Sequence, residues 1–392
     1  MIRKLADLEL RNRTVFIRVD FNVPIDSGEI TESHRIDSAL PTIDFILRQA
    51  KKVVIASHLG RPDGKVVPKY SLLPVRDYLT RALKRPVVLA PDCVGAEVGG
   101  LIRDDSHGII LLENLRFHPE EEKNDPAFSQ ALASLAEVYV NDAFGAAHRA
   151  HASIVGTAGF FAAKGAGLLL QKELDYLSPI LTNPKKPFVT ILGGAKVSDK
   201  IRVIRNLLPK IDILLIGGGM AYTFLRAQGV EVGKSLLEAD KINVALDILR
   251  EASSLGVRVL LPIDHVTGDT EKGNPSTCQG AVPPERMGLD IGPETASSFA
   301  DEIARAKMVL WNGPVGLFEV PPYDHGSRTL AAALADNYPR IVSIIAGGDT
   351  VAAVSAAGVE EKISHLSTGG GATLEFLEGK ELPGIKALEI NE

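Results

Sequence analysis

Short apolar runs alternate with polar, helix-period stretches along almost the whole chain. In the first part the runs are TVFIRVD, KKVVIASH, RPVVLA, GIILLEN and EVYVND; in the second they are KPFVTILGG, DILLIGGG, VRVLLPID, MVLWNG and SIIAGGD. Continuous Val, Ile and Leu at this length predicts strands buried on both faces, as in parallel sheets covered by helices. Amphipathic stretches such as Ser198–Leu208 and Lys241–Ala252 supply those helices. One run departs from the pattern. Thr14–Pro24 reads as a strand closed by proline, yet Arg18, Asp20 and Asn22 alternate with apolar neighbours and share one face. Taken alone, that face fits a surface Arg18–Asp20 pair as well as a site. Near the middle, GAGLLLQKELDYLSPILTNPKKP opens on glycines and stops at Asn183-Pro184. It predicts a helix over 168–182 between two domains, and the glycines before it serve either as hinges or for close packing. The fold class expected is α/β: two doubly wound parallel-sheet domains of similar size joined by a helix and hinge.

Composition narrows the class. A chain of 392 residues exceeds one ordinary core. The net charge of −6 disfavours nucleic acid or an anionic membrane surface as partner. Cys93 and Cys278 stand far apart, in no metal or redox spacing, which fits a reducing compartment. MIRKLADLEL lacks the apolar core of a signal peptide, and no apolar run reaches the roughly 18 residues of a membrane helix. The expectation is a soluble cytoplasmic protein.

Ligands of open α/β sheets bind beyond the carboxyl ends of the strands. In the first half those ends carry Asp20, Asn22, His58, Arg61, Arg116, His118, Arg149 and His151. In the second half they are mostly glycines, with Lys196, Lys200, Asn312, Asp349 and Thr350. Six of the nine histidines fall within the first 151 residues, which strengthens the contrast. Guanidinium forks grip carboxylate and phosphate in two-pronged fashion. Glycines between a strand and a helix let a phosphate approach backbone N–H groups at the helix N-terminus. One half therefore reads as a site for an anionic metabolite and the other as a site for a nucleotide. Each signal has a plain counterpart: a surface arginine, or a tight Gly-Gly turn. Arg35, Arg61, Arg116 and Arg149 lie on four segments, and their convergence is an inference. The run PEEEKNDP reads as a solvated helix start rather than a metal site.

Standard nucleotide motifs are absent. Gly229–Ser235 resembles a P-loop, but three residues separate its glycines where four are needed, and it follows a helical stretch. After Gly217 and Gly219, Tyr222 occupies a position where a dinucleotide fingerprint requires Gly or Ala. Neither a GxSxG elbow, an HExxH pair nor a CxxC pair occurs. The residues by themselves describe a two-domain α/β protein joining a phosphorylated anion to a nucleotide. A nicotinamide-dependent dehydrogenase and a non-enzymatic binding protein for an anionic metabolite stay open as alternatives.

RVDFNVP, SHLGRP, ENLRFHPEE, NDAFGAAHRAHAS, LGGAKVSDK, WNGPVGLFE, AGGDT and STGGGATLEFLEG occur in that order across essentially the whole chain. Together they resemble phosphoglycerate kinases; VPPYDHGS at Val320–Ser327 departs from the family pattern. The resemblance implies a phosphoglycerate-binding domain of residues 1–167 with the tail 379–392 returning to it, and a nucleotide-binding domain of residues 183–378. It implies reversible transfer of the acyl phosphate of 1,3-bisphosphoglycerate to Mg-ADP, giving 3-phosphoglycerate and Mg-ATP, by a monomer. On this resemblance Asp20, Asn22, Arg35, His58, Arg61, Arg116 and Arg149 hold the phosphoglycerate, and Arg18 is a structural partner. Lys200, Gly292, Asn312, Glu319, Gly347, Gly348, Asp349 and Thr350 hold the nucleotide, with Asp349 on Mg²⁺. Arg35 and Lys196 would flank the phosphoryl group in transit, without a general base, after domain closure. The glycines before the linker helix, the helix itself and Gly369-Gly370-Gly371 are the candidate hinges.

Overall fold

The computed structural model describes residues 1–390; the last two positions of the expected tail, 391 and 392, lie outside the described residues. The chain divides into two compact units, Met1–Asp175 with Glu381–Glu392, and Tyr176–Lys380. The division falls inside the helix Leu168–Thr182.

The first unit is built on a six-stranded sheet. From one edge its strands are Val88–Leu89, Ile109–Leu111, Lys52–Ala56, Thr14–Arg18, Val138–Asn141 and Lys164–Ala166. All neighbours are parallel. Side chains alternate across it. Val15, Ile17, Val53, Ile55, Val138 and Val140 pack with Ile36, Ile43 and Ile46 of the helix His34–Leu47 and with Val75 and Leu79 of the helix Leu73–Leu83. On the other face Phe16 stacks on Tyr139, with ring centroids 5.9 Å apart, and Tyr139 meets Phe161. Both faces are dry, which explains the unbroken apolar runs. The tail closes this unit: Gly384 N–H donates to Ala147 O at 2.8 Å, and Ile390 N–H to Met1 O at 3.0 Å.

The second unit repeats the plan. Its six-stranded parallel sheet runs Arg258–Leu260, Ile213–Ile216, Phe188–Leu192, Met308–Asn312, Val342–Ala346 and His365–Leu366. Trp311, fully buried, packs among Phe299 and Ile303 of the helix Pro293–Arg305 and Leu330 and Leu334 of the helix His325–Asp336.

Several expectations are corrected. The opening strand ends at Arg18 rather than Pro24. Beyond Val19 the ladder gives way to side chains: Phe21 N–H donates to Ser57 Oγ at 2.9 Å, and Asn22 N–H to Asp20 Oδ1 at 3.1 Å. The helix expected over Ser198–Leu208 begins at Ile201 and tightens to a 3-10 turn after Leu207. PEEEKNDP is not wholly solvated, because Glu121 is fully buried. A three-stranded antiparallel sheet of Asp264–Gly268, Ser276–Gln279 and Met287–Ile291 was not foreseen. Of the glycines before the linker helix, Gly165 and Gly167 allow close packing: a Cβ would lie 2.7 Å from Arg3 O and 2.1 Å from Asp142 Oδ1, respectively.

Candidate functional site

In the first unit the site grows from the carboxyl end of Thr14–Arg18. Arg18 is fully buried. Its Nε donates to Ser153 Oγ at 2.7 Å, Nη1 to Val19 O, and Nη2 meets His58 Nδ1 at 3.2 Å. A guanidinium only donates, so His58 Nδ1 accepts and the imidazole proton sits on Nε2. Nε2 lies 3.9 Å from Asp20 Oδ1. Burial drives the His58 pKa well below the ordinary histidine range, Arg18, Arg116 and His151 add to this, and Asp20 opposes it. His58 is thus a neutral Nε2–H donor at pH 7. Burial alone would raise the Asp20 pKa, but the His58 ring, Arg35, Arg18 and the Asn22 N–H together lower it and keep the carboxylate ionised. Arg35 Nη1 reaches Asp20 Oδ2 at 2.8 Å.

Neighbouring loops join the same cluster. Asn22 Oδ1 accepts from Gly60 N–H at 2.8 Å, and Gly60 O accepts from Arg116 Nη1 at 2.8 Å. Arg61 follows Gly60 and is exposed. Arg116 is largely buried, and its Nε lies 3.2 Å from Glu122 Oε1. His151 is pushed down to about 3 by burial and by the charges of Arg18, Arg116 and Arg149. Beneath the cluster, buried Glu121 accepts from Ser153 N–H at 2.9 Å and Ser153 Oγ at 2.6 Å. The structure therefore gathers Asp20, Asn22, Arg35, His58, Arg116 and Arg149 at one sheet end, with Arg61 on an adjoining loop. His118, also at a strand end, turns instead to Asp92, at 2.6 Å. Glu121 and Ser153 escaped sequence reading. Neither periodicity nor motif marks a carboxylate that serves a buried hydroxyl across the fold.

The second unit builds a different environment. Gly347, at φ +94°, leads into the helix Gly348–Ala356. Thr350 Oγ1 accepts from Gly313 N–H at 2.7 Å and donates to Ala346 O at 2.9 Å. Asn312 Nδ2 donates to Ala346 O at 2.6 Å, and its Oδ1 accepts from Lys200 Nζ. Burial lowers the Lys200 pKa, while Asp199 and Asp349 oppose the shift. Lys200, Asn312, Gly347, Asp349 and Thr350 thus form one group at a helix N-terminus, which carries roughly +0.5 charge. A Cβ added at Gly348 would meet no atom within 4 Å. Several other glycines serve packing. A Cβ on Gly313 would lie 2.2 Å from Gly193 O, and one on Gly217 2.6 Å from Val315 Cβ. Lys196 is exposed on the loop after Phe188–Leu192. Glu319 is exposed on a loop held to the antiparallel sheet by Leu317 N–H donating to Leu289 O at 2.8 Å. Gly292 follows that sheet's last strand, and a Cβ there would strike Asp264, whose carboxylate caps the helix Pro293–Arg305. Gly229–Ser235 is a turn, with Ser235 Oγ accepting from Gly288 N–H at 2.9 Å. In the departing segment Val320–Ser327, Tyr323 is buried and donates to Gly273 O at 2.7 Å.

A phosphoglycerate kinase family model matches residues 5–380. The phosphoglycerate kinase of Acidobacterium capsulatum is 56% identical over 397 residues, covering 98% of each chain. That of Koribacter versatilis is 54% identical over 396 residues, with the same coverage. The solved structure of phosphoglycerate kinase from Coxiella burnetii superposes with a TM-score of 0.89 at 40% identity and covers 99% of both chains. The structure of the Pyrococcus horikoshii OT3 enzyme gives 0.85 at 31% identity, covering 99% of this chain and 98% of that one.

Proposed function

The chain belongs to the phosphoglycerate kinase family, and from that premise we propose that it moves the acyl phosphate of 1,3-bisphosphoglycerate to Mg-ADP, reversibly, giving 3-phosphoglycerate and Mg-ATP. It is a kinase of glycolytic phosphoryl transfer. The observation that carries the finer reading is the pair of unlike strand-end sites. One unit presents a cluster of arginines around a neutral histidine. The other presents a helix N-terminus flanked by Lys200 and Asp349.

In this reading Arg35, Arg61, Arg116 and Arg149 grip the phosphate and carboxyl groups of phosphoglycerate, and His58 donates from Nε2. Asp20 and Asn22 hold the glycerate end, and Asp20 also aims Arg35. Lys200, Asn312, Gly347, Gly348 and Thr350 receive nucleotide phosphates at the helix N-terminus. Gly292 and Glu319 serve the nucleoside, Glu319 by accepting from ribose hydroxyls. Asp349 suits Mg²⁺, which binds through one or two carboxylates together with substrate phosphates. Asp349 is exposed, and its charge is felt by Lys200. Bound there, Mg²⁺ would neutralise phosphate charge.

Phosphoryl transfer needs alignment and charge stabilisation more than covalent help. The attacking groups are an ADP phosphate oxygen in one direction and a carboxylate in the other. Both are ionised at pH 7, so no general base is required. Arg35 and Lys196 flank the group in transit once closure brings the two half-sites together and excludes water. The two free cysteines fit a reducing cytoplasm, and we take the enzyme as a monomer there. Among the described residues no helix is long and apolar enough to cross a membrane.

Lys196→Ala tests the chemistry. We expect kcat to fall roughly 10³-fold or more, with both KM values changed less than about threefold. A rise in KM alone removes Lys196 from the transfer step. Small-angle scattering tests closure. The complex with both ligands should be more compact than the free enzyme or either binary complex, and equal radii of gyration would reject closure.

A further inference from the structure

Strands Val88–Leu89 and Ile109–Leu111 are neighbours in the first sheet, so the segments beyond their carboxyl ends meet. Asp92 and Cys93 lie on one segment and His118 on the other. One carboxylate oxygen, the thiol sulfur and one imidazole nitrogen lie within 4.8 Å of one another. We propose that Asp92, Cys93 and His118 bind one zinc-class divalent metal ion, with solvent at the fourth position.

The donor set decides the metal class. Thiolate with imidazole and carboxylate suits a borderline-soft ion rather than Mg²⁺ or Ca²⁺. Donors about 2.0–2.3 Å from a tetrahedral zinc stand about 3.3–3.8 Å apart, so side-chain shifts of about an ångström complete the site. The imidazole is already oriented. Its Nε2 lies 2.6 Å from Asp92 Oδ1, its ring stacks on Phe128 with centroids 4.8 Å apart, and Nδ1 lies 4.0 Å from Glu120 Oε2. Glu120 must close by about an ångström to give the carboxylate support usual for a metal-bound histidine. The exposed Asp92 leaves a way in for the ion, whereas Cys93 is fully buried with its thiol donating to Glu113 O at 2.9 Å. Burial, then the charges of Asp92, Glu121 and Glu113, keep that thiol protonated without metal. The same negative field attracts a cation. Binding replaces the His118 Nε2–Asp92 hydrogen bond: the imidazole proton moves to Nδ1, the thiol proton passes to water, and metal–sulfur, metal–nitrogen and metal–oxygen bonds form with no electron transfer. His118 stands two residues from Arg116, so the metal site borders the anion cluster without using its residues.

Cd²⁺ reports thiolate ligation by an ultraviolet sulfur-to-metal charge-transfer band. The chelator-stripped full-length protein, titrated with Cd²⁺, should show such a band saturating at one equivalent. Cys278→Ser should keep it and Cys93→Ala should lose it. His118→Ala and Asp92→Asn should weaken binding by about tenfold or more. The absence of a saturable band in the wild-type protein, or its survival in Cys93→Ala, overturns the proposal. Where Cys93→Ala does not fold, unchanged affinity in His118→Ala overturns it equally.

Discussion

Arg18 touches no solvent, yet it decides how a neighbour presents a proton. By donating to His58 Nδ1 it confines the imidazole proton to Nε2, the nitrogen on the side of Asp20. Its other nitrogens meet Ser153 Oγ and Val19 O, and Glu121 takes up the Ser153 hydroxyl. A lysine cannot reproduce this fork. Arg18→Lys should therefore raise the KM for 3-phosphoglycerate about tenfold, equivalent to the roughly 1.4 kcal/mol of one weakened polar contact. Its nucleotide KM should stay within about twofold. Two-substrate kinetics checks this. Equal losses for both substrates would mean that Arg18 only supports the fold. The alternation in Thr14–Pro24 brings Arg18 and Asp20 to one face, but it fits a surface pair as well as a site. What separates the two is burial, which depends on Ser153, 135 positions away.

At the scale of elements, the loop at the end of Val138–Asn141 shows how a strand end can start a helix. Asp142, fully buried, accepts from Leu169 N–H at 2.9 Å and Leu170 N–H at 3.1 Å through one oxygen. Burial pushes its pKa up to about 7, against the opposing hydrogen bonds from Thr42, Leu170 and Leu169. The folded state thus holds a proton that the unfolded carboxyl loses near pH 4. This stability is present in full below about pH 4 and is lost as pH rises through about 7. Asp142→Asn keeps an acceptor and removes the charge. Relative to wild type it should gain stability across that window, by up to about 4 kcal/mol. Urea titrations at pH 5 and pH 8 should show the difference between the two proteins growing with pH, and a constant difference would refute the assignment. The ten apolar runs each contain a parallel strand, because burial on both faces writes itself into composition. The edge strands Lys164–Ala166 and His365–Leu366 lie in no continuous Val, Ile and Leu run and leave no such trace. The antiparallel sheet reads as mixed polar sequence, since Ser276–Gln279 is largely exposed. The glycine-rich ends were visible, but their division into backbone packing at Gly313 and open helix start at Gly348 depends on contacts across the fold.

At the scale of the whole molecule, the two units share a plan and differ in charge at their strand ends. Each buries its own core, and Trp311, the one tryptophan, reports on the second alone. The tail contributes Leu382 and Leu388, both buried, to the first unit. A chain stopped at Lys380 forfeits those side chains, roughly 1.5–3 kcal/mol apiece, together with the hydrogen bonds to Ala147 and Met1. It should lose helical circular dichroism in the first unit at lower denaturant, with the Trp311 fluorescence transition unmoved. A single shifted transition in both signals would contradict this. The same tail reverses the usual order of birth. A ribosome delivers the first unit's sheet early, but the segment that seals it emerges only after the whole second unit has been made. During synthesis the amino-terminal half must therefore wait, its Ala147 and Met1 carbonyls without their tail partners, while the later half can already complete itself.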